Sequence, residues 1–286
     1  GGCLLNTLFI TDLDGTLLNP DAHITLKSLQ ILNSLLAEGM LLTCATARSA
    51  STALPILSGL DLCLPVILMN GSAVYDGQKQ RYESEKAIEP EAAGRILDFL
   101  SAADCPAFVY SIKDDQLLCF SPPRLNEAMK HFRQYRQRFY GKKFTDIASY
   151  DVLRRERIIY FTFVGSRHEL LPVYDHLRNE EGFSALFYQD VYGEDWFLEL
   201  SRKDVTKGSA ALRLKETCDA ENLCVFGDNL NDLPLFAAAD YCIAPANAKP
   251  ALLEKADLII PDNRQDSVAY CLRDIWKRGY IDDGYF

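Results

Sequence analysis

The chain is poor in the patterns that would build a metal or disulfide framework. Its nine cysteines are an odd number and none forms a CxxC pair. The four histidines, His23, His131, His168 and His176, fall in no metal-ligand spacing. Cys44, Cys224 and Cys242 sit inside apolar runs and read as small core residues. Free thiols in this number point to a reducing compartment, so a cytoplasmic protein is expected. Long hydrophobic runs are also missing: no stretch is long enough to span a bilayer, and no secretory apolar segment opens the sequence. Positive charge is in deficit, with 30 Lys and Arg against 40 Asp and Glu, a formal net charge of −10. Such a surface repels nucleic acid and anionic membranes, and neither is expected as a partner. No obligate protein partner is evident. The exception to the deficit is "HFRQYRQRFYGKK", His131 to Lys143. It reads as an amphipathic helix with Phe132, Tyr135 and Phe139 inward and its cations in water, a patch suited to drawing in a small anion.

What is present is ample material for a core. The 286 residues are 48% hydrophobic and 24% charged, enough for one large α/β domain or two ordinary ones. Strands and helices alternate over most of the length, the pattern of a parallel sheet flanked by helices. Leu4 to Thr11 is a continuous apolar strand. "ITLKSLQILNSLLAEG" is a helix with Thr25 as cap and Gly39 as stop. "MLLTCA" and "PVILMN" are further strands, and "AVYDGQKQRYE" is a hairpin turning tightly at Asp76-Gly77.

From about Ser84 to Leu198 the texture changes to helix, hairpin, helix, strand, helix, strand, with antiparallel pairing at Asp114-Asp115. The first texture then returns with "NLCVFG", "YCIAP" and a closing helix, "DSVAYCLRDIWKRG". The expected organisation is a Rossmann-like α/β core made of residues 1–83 and 199–286, interrupted by an inserted α/β domain of residues 84–198.

Four polar constellations follow apolar strands or open a helix of that core. They are Asp12/Asp14/Thr16 in "DLDGTLL", Thr46 in "CATAR", Lys207 in "DVTKGSA", and Asp228/Asn231/Asp232 in "GDNLNDLP". Ligands of open parallel sheets bind at the carboxyl ends of the strands, so these groups can meet in one cleft. Carboxylates Asp12, Asp14 and Asp228 suit a hard divalent cation such as Mg²⁺. A cation, a lysine, a threonine and an asparagine around a carboxylate supply the charge neutralisation and positioning that phosphoryl transfer needs. One carboxylate can then attack phosphorus, and a second can move the protons.

In this order, "DLDGTLL", "ATAR", "TKGSAA" and "GDNLNDLPLF" resemble the four motifs of the haloacid dehalogenase-like phosphatases. The insertion between the second and third motifs resembles the α/β cap of their Cof-type branch. The resemblance implies that Asp12 is nucleophile and Mg²⁺ ligand, and that Asp14 is general acid/base and offers its carbonyl to the metal. It further implies that Thr46 and Ala47 bind the phosphoryl group, that Lys207 neutralises nucleophile and phosphate, and that Asn231 contacts the phosphate or the water through which Asp232 holds the metal. Asp228 would bind the metal directly and Asp232 through water. Ala47 stands where the family usually has glycine. Asn70, at an Asn-Gly step, is either a plain turn or a contact at the cleft mouth, and Arg48 either binds substrate or pairs with a surface acid. Tyr188 and Trp196 either line a substrate pocket or pack in the inserted core. The expected activity is Mg²⁺-dependent hydrolysis of a small phosphorylated metabolite through an aspartyl-phosphate. The rival readings are a phosphosugar mutase on the same core and a phospho-ligand sensor without turnover.

Overall fold

The computed structural model describes residues 6–103 and 105–279. In chain order its elements begin with β1 (Thr7–Thr11), α1 (Leu26–Ala37), β2 (Leu41–Cys44), α2 (Ala50–Leu57), β3 (Val66–Leu68), β4 (Ala73–Asp76), β5 (Arg81–Glu85) and α3 (Pro90–Ala102). There follow β6 (Phe108–Lys113), β7 (Gln116–Ser121), α4 (Glu127–Tyr140), β8 (Thr145–Asp146), β9 (Ile158–Gly165), α5 (Arg167–Leu177), β10 (Phe183–Gln189) and β11 (Trp196–Arg202). The chain closes with α6 (Lys207–Thr217), β12 (Asn222–Phe226), α7 (Leu233–Ala238), β13 (Tyr241–Pro245), α8 (Pro250–Leu253), β14 (Leu258–Ile260) and α9 (Ser267–Arg278). Leu4 and Leu5 of the expected first strand lie outside the described residues.

Two compact units result, one of residues 1–49, 53–83 and 206–286, the other of residues 84–205 with 50–52. The first is built on a five-stranded sheet in the order β14-β13-β12-β1-β2, parallel throughout. All five residues of β1 are buried, as a strand covered on both faces requires. Leu8 and Ile10 pack with Leu223, Val225 and Leu235 beneath α6 and α7. Helix α1 starts where Thr25 accepts a hydrogen bond from the Ser28 N–H, the expected cap. Strands β12, β1 and β2 are neighbours, so their carboxyl ends lie side by side. This placement makes the site.

A short sheet, β3-β4-β5, follows in sequence. The hairpin of β4 and β5 turns over four residues, 77–80, rather than at a two-residue Asp-Gly step. The Asp76 side chain accepts from the N–H groups of Gln78 and Lys79, and Gln80 takes the positive φ. Asparagine-like side-chain bonding to the backbone two residues on thus replaces the tight turn.

The second unit carries a six-stranded sheet in the order β10-β11-β9-β6-β7-β8. At the β6–β7 hairpin, Asp114 and Asp115 both have positive φ (52° and 56°), the twist-matched two-residue turn. One sheet face packs Phe161, Phe163, Leu198 and Leu200 with Ile96, Leu97 and Leu170. Strand β11 runs past Leu198 to Arg202, so the unit reaches Val205 instead of closing at 198. Helix α4 differs from its expected orientation. Phe132 packs on Phe108, but Tyr135 and Phe139 are 45% and 60% exposed. Only Met129 of this helix is fully buried, so the inward face is narrower than the aromatic spacing suggested. Trp196 packs against Phe187 within the apolar cluster, whereas Tyr188 donates from its hydroxyl to Glu199 at 2.6 Å.

Candidate active site

The chain leaves β1 at Thr11 and turns over Leu13–Leu17, where the Asp14 and Gly15 backbones depart from helical angles. Asp12 stands at the strand end, its N–H bonded to the Phe226 carbonyl at 2.9 Å. Gly15 follows with φ 81°, and a Cβ built there would lie 2.3 Å from Asp228 Oδ2. Only glycine lets the turn approach that carboxylate so closely. Asn247 Nδ2 donates to the Gly15 carbonyl at 2.8 Å and holds the turn from across the sheet.

Three carboxylates converge here. Asp12, Asp228 and Asp232 are buried, and each offers an oxygen within 4.8 Å of the others. Lys207, the first residue of α6, is itself 1% exposed and donates to Asp12 Oδ1 and Asp232 Oδ1, both at 2.6 Å. Its helix is started by a reciprocal cap between Thr206 and Ser209. Gly208 lets this helix meet α7, since a Cβ there would lie 2.0 Å from the Pro234 carbonyl. Asp232 Oδ2 accepts from the N–H groups of Asp228 and Asn229, which fixes the loop after β12. Thr16 donates its hydroxyl to Asp228 Oδ1 at 2.8 Å.

One ammonium cannot balance three buried acids, and the electrostatics show it. Burial pushes the Asp12 carboxyl up to about 8, helped by repulsion from Asp232 and Asp14 and opposed by Lys207. Asp228 is raised for the same reasons, burial first and then Asp12 and Asp232, with the Thr16 hydrogen bond opposing. For Lys207 burial acts downward, but the two carboxylates outweigh it and hold the ammonium above its ordinary range. An oxygen-lined cluster with excess negative charge fits a divalent cation, which favours the ionised forms of all three acids.

The remaining expected residues sit around this cluster. Thr46, wholly buried after β2, accepts from the Arg48 N–H at 3.1 Å, which leaves its hydroxyl proton to donate. Ala47 lies half-buried on the same turn, with no polar side chain to offer. Asn231 Nδ2 donates to Asn70 Oδ1 at 3.2 Å. Asn70 is therefore more than an ordinary turn residue: it is wholly buried and also donates its N–H to the Thr46 carbonyl. The Asp14 carboxylate stands apart from the cluster of Asp12, Asp228 and Asp232. Both its oxygens meet the Arg48 guanidinium, with Nε to Oδ2 at 2.8 Å and Nη2 to Oδ1 at 2.6 Å.

The sequence grouped Thr16 with Asp12 and Asp14 without giving it a role, left Asn70 and Arg48 open between a site role and a plain one, and did not single out Asn247. The first three lie within or beside the motifs, which is a usable signal. Asn247 follows β13 with no motif around it, and only the fold brings it to Gly15.

A family model for haloacid dehalogenase-like hydrolase matches residues 9–272, and the chain belongs to that family. It is 26% identical to the pyridoxal phosphate phosphatase YbhA of Escherichia coli (strain K12), over 90% of this chain and 94% of that one. It is also 26% identical to the 5-amino-6-(5-phospho-D-ribitylamino)uracil phosphatase YwtE of Bacillus subtilis (strain 168), over 94% and 98%. The structure of a haloacid dehalogenase-like hydrolase from Bacteroides thetaiotaomicron superposes with a TM-score of 0.78 at 20% identity, covering 94% of this chain and 99% of that one. That likeness supports the fold. The family and its phosphatase relatives make this chain a phosphoric monoester hydrolase.

Proposed function

We propose that the chain is a Mg²⁺-dependent phosphatase that hydrolyses small phosphorylated metabolites through an aspartyl-phosphate on Asp12. The observation that carries this reading is the buried set of Asp12, Asp228 and Asp232 with Lys207 bridging two of them. Asp12, Asp228 and the Asp14 carbonyl would hold the cation directly, and Asp232 would do so through water. Bound there, Mg²⁺ supplies a Lewis acid at the phosphoryl oxygens.

The chain's own groups do the rest. Thr46 donates its hydroxyl to a phosphoryl oxygen, beside the Ala47 N–H, and Asn231 holds the phosphoryl group from the other side. Lys207 opposes the burial that raises Asp12, a bound cation would complete its ionisation, and the same ammonium neutralises the charge that builds between carboxylate and phosphate. Asp12 attacks phosphorus in line with the ester oxygen, which takes a proton from Asp14 as it leaves. Asp14 then removes a proton from the water that attacks the aspartyl-phosphate, releasing inorganic phosphate and restoring Asp12.

The curated relatives named above act on a phosphorylated cofactor and on a phosphorylated ribitylaminouracil. Phosphorylated cofactors, their precursors and sugar phosphates are accordingly the substrate class. Among the described residues no helix is long and apolar enough to cross a membrane, and the eight cysteines described are free, which suits a reducing cytoplasm. The test is a panel of such metabolites assayed for phosphate release with and without Mg²⁺. Metal-dependent release from at least one supports the reading, and no release from any, nor from an aryl phosphate, removes it.

A further inference from the structure

Asn70 sits at the centre of a buried turn to which the catalytic scheme gives no part. Met69, Asn70 and Gly71 take positive φ in succession, at 50°, 51° and 100°. Asparagine tolerates that region, but methionine enters it rarely, and such backbone persists only where the surroundings over-determine it. Here they do. The Met69 N–H donates to the Arg48 carbonyl at 3.0 Å, and the Asn70 N–H to the Thr46 carbonyl at 3.1 Å. On the other side Gly71 lies so close to the Thr206 carbonyl that a Cβ would stand 2.3 Å from it. Thr206 is the cap of α6, whose first residue is Lys207. The turn is thus wedged between the loop that carries Thr46 and the helix start that carries the lysine.

Its side chain reaches a third loop. Asn231 Nδ2 donates to Asn70 Oδ1 at 3.2 Å, and both residues are buried. An amide offers donors at its nitrogen and an acceptor at its oxygen, and turning it over exchanges them. Dianionic phosphoryl oxygens only accept, so Asn231 serves them only through Nδ2. One Nδ2 hydrogen goes to Asn70, which fixes the direction of the other. Turning Asn231 over against Asn70 Oδ1 would set two buried oxygens together with no proton between them, a costly arrangement away from water.

Resting on the phosphatase reading above, we propose that Asn70 is the positioning residue for the phosphate-binding pair of Thr46 and Asn231. Its side chain holds the Asn231 amide with an N–H turned to the phosphoryl group, and its backbone N–H holds the Thr46 turn. Donors set in advance need no reorganisation when charge moves onto the phosphoryl oxygens. Without the Asn70 amide, Asn231 is free to present its oxygen to the phosphate. The consequence falls on the phosphoryl group and not on the cation, whose requirement is set by Asp12, Asp228 and Asp232.

Asn70→Gly isolates the side chain, because glycine adopts positive φ and keeps the backbone N–H. The experiment compares wild type, Asn70→Gly, Asn231→Ala and the double variant, with p-nitrophenyl phosphate as ester and orthovanadate as phosphoryl-site inhibitor. Asn70→Gly is expected to lose about 10- to 100-fold in kcat/KM, the scale for groups that orient a reacting one. Its vanadate inhibition constant should rise in parallel, while the Mg²⁺ concentration at half-maximal rate stays within about twofold of wild type. The double variant is expected to be no worse than Asn231→Ala. Losses that multiply in the double variant, or a raised Mg²⁺ requirement in Asn70→Gly, would overturn the positioning role. Should Asn70→Gly fail to fold by circular dichroism, Asn70→Ser, too short to reach Asn231, carries the same comparison. Wild-type protein that releases no phosphate removes the phosphatase reading and this proposal together, whereas an active wild type with an unimpaired Asn70→Gly variant overturns this proposal alone.

Discussion

Lys207 Nζ lies 2.6 Å from Asp12 Oδ1 although the two residues are 195 positions apart, and both side chains are almost wholly buried. Placing them together at the end of a parallel sheet would be unstable for either alone. A buried ion pair deprived of one partner leaves an uncompensated charge, at a cost of about 3–5 kcal/mol. Lys207→Ala is therefore expected to lower the urea midpoint in a chelating buffer and to regain much of it with Mg²⁺, which substitutes for the lost positive charge. The same variant should lose on the order of 10²-fold or more in kcat with Mg²⁺ present. Wild-type kcat in this variant would place the lysine outside the reaction.

Metal removal should act on the same cluster. EDTA is expected to abolish phosphate release reversibly, and wild-type unfolding in EDTA should show a lower midpoint than in Mg²⁺, because a ligand that binds the native state stabilises it by mass action. Release rates and melting curves with and without chelator check both. Undiminished turnover without metal would contradict the assignment of Asp12, Asp228 and Asp232 as its holders.

Gly15→Ala tests the close approach of the first turn to Asp228. The new Cβ would lie 2.3 Å from Asp228 Oδ2 in a backbone with φ 81°, so the turn must shift. The expected loss of stability is about 1–3 kcal/mol, the range for strain at such a position. The Mg²⁺ concentration at half-maximal activity should rise by more than tenfold, the scale at which metal sites respond to disturbed supporting groups. Activity titrated against Mg²⁺ measures it, and an unchanged titration would mean the turn does not set the Asp228 geometry.

Lys142, in the second unit, offers a separate pH signature. Burial lowers its ammonium to about 8, where it sits over the rings of Tyr110 and Phe144 and donates to the Tyr110 hydroxyl. The unfolded chain then binds more protons than the folded one between about pH 8 and the ordinary lysine value of 10.5. Stability from this group must rise with pH across that window, and its penalty is complete below it. Lys142→Met should be more stable than wild type at pH 7, by up to about 3 kcal/mol. The difference should shrink as pH approaches 10. Urea unfolding at pH 7 and pH 10 compares the two proteins, and an equal difference at both would rule this lysine out as the source.

Much of this was legible in the sequence, for a physical reason. Strands such as β1 and β12 are covered on both faces and announce themselves as unbroken apolar runs, and a cap such as Thr25 is a local choice. The acidic and basic motifs stood at strand ends and at a helix start because that is where the fold delivers ligands. What escaped depended on long-range packing. Strand β11 alternates Trp196, Leu198 and Leu200 with Glu199 and Ser201, and nothing local shows that Glu199 is buried with a tyrosine hydroxyl as donor. In α4 the aromatic spacing suggested an inward face, but the Arg136 guanidinium lies over the Tyr135 ring and that of Arg138 over the Phe139 ring, and both rings stay near solvent. The Arg48–Asp14 fork could not be read because the choice between substrate and acid as partner is made by the geometry of two turns.

Phosphate carried by Asp12 is the central claim, and direct chemical capture tests it. Asp14→Asn should slow attack by water more than attack by Asp12 on p-nitrophenyl phosphate, since that leaving group needs no proton. Stoichiometric variant mixed with this ester and Mg²⁺, quenched in acid and mapped by peptide mass, is expected to carry one phosphate on the peptide containing Asp12. Phosphate found on another residue, or Asp12→Asn protein that still turns over the ester, would contradict the account.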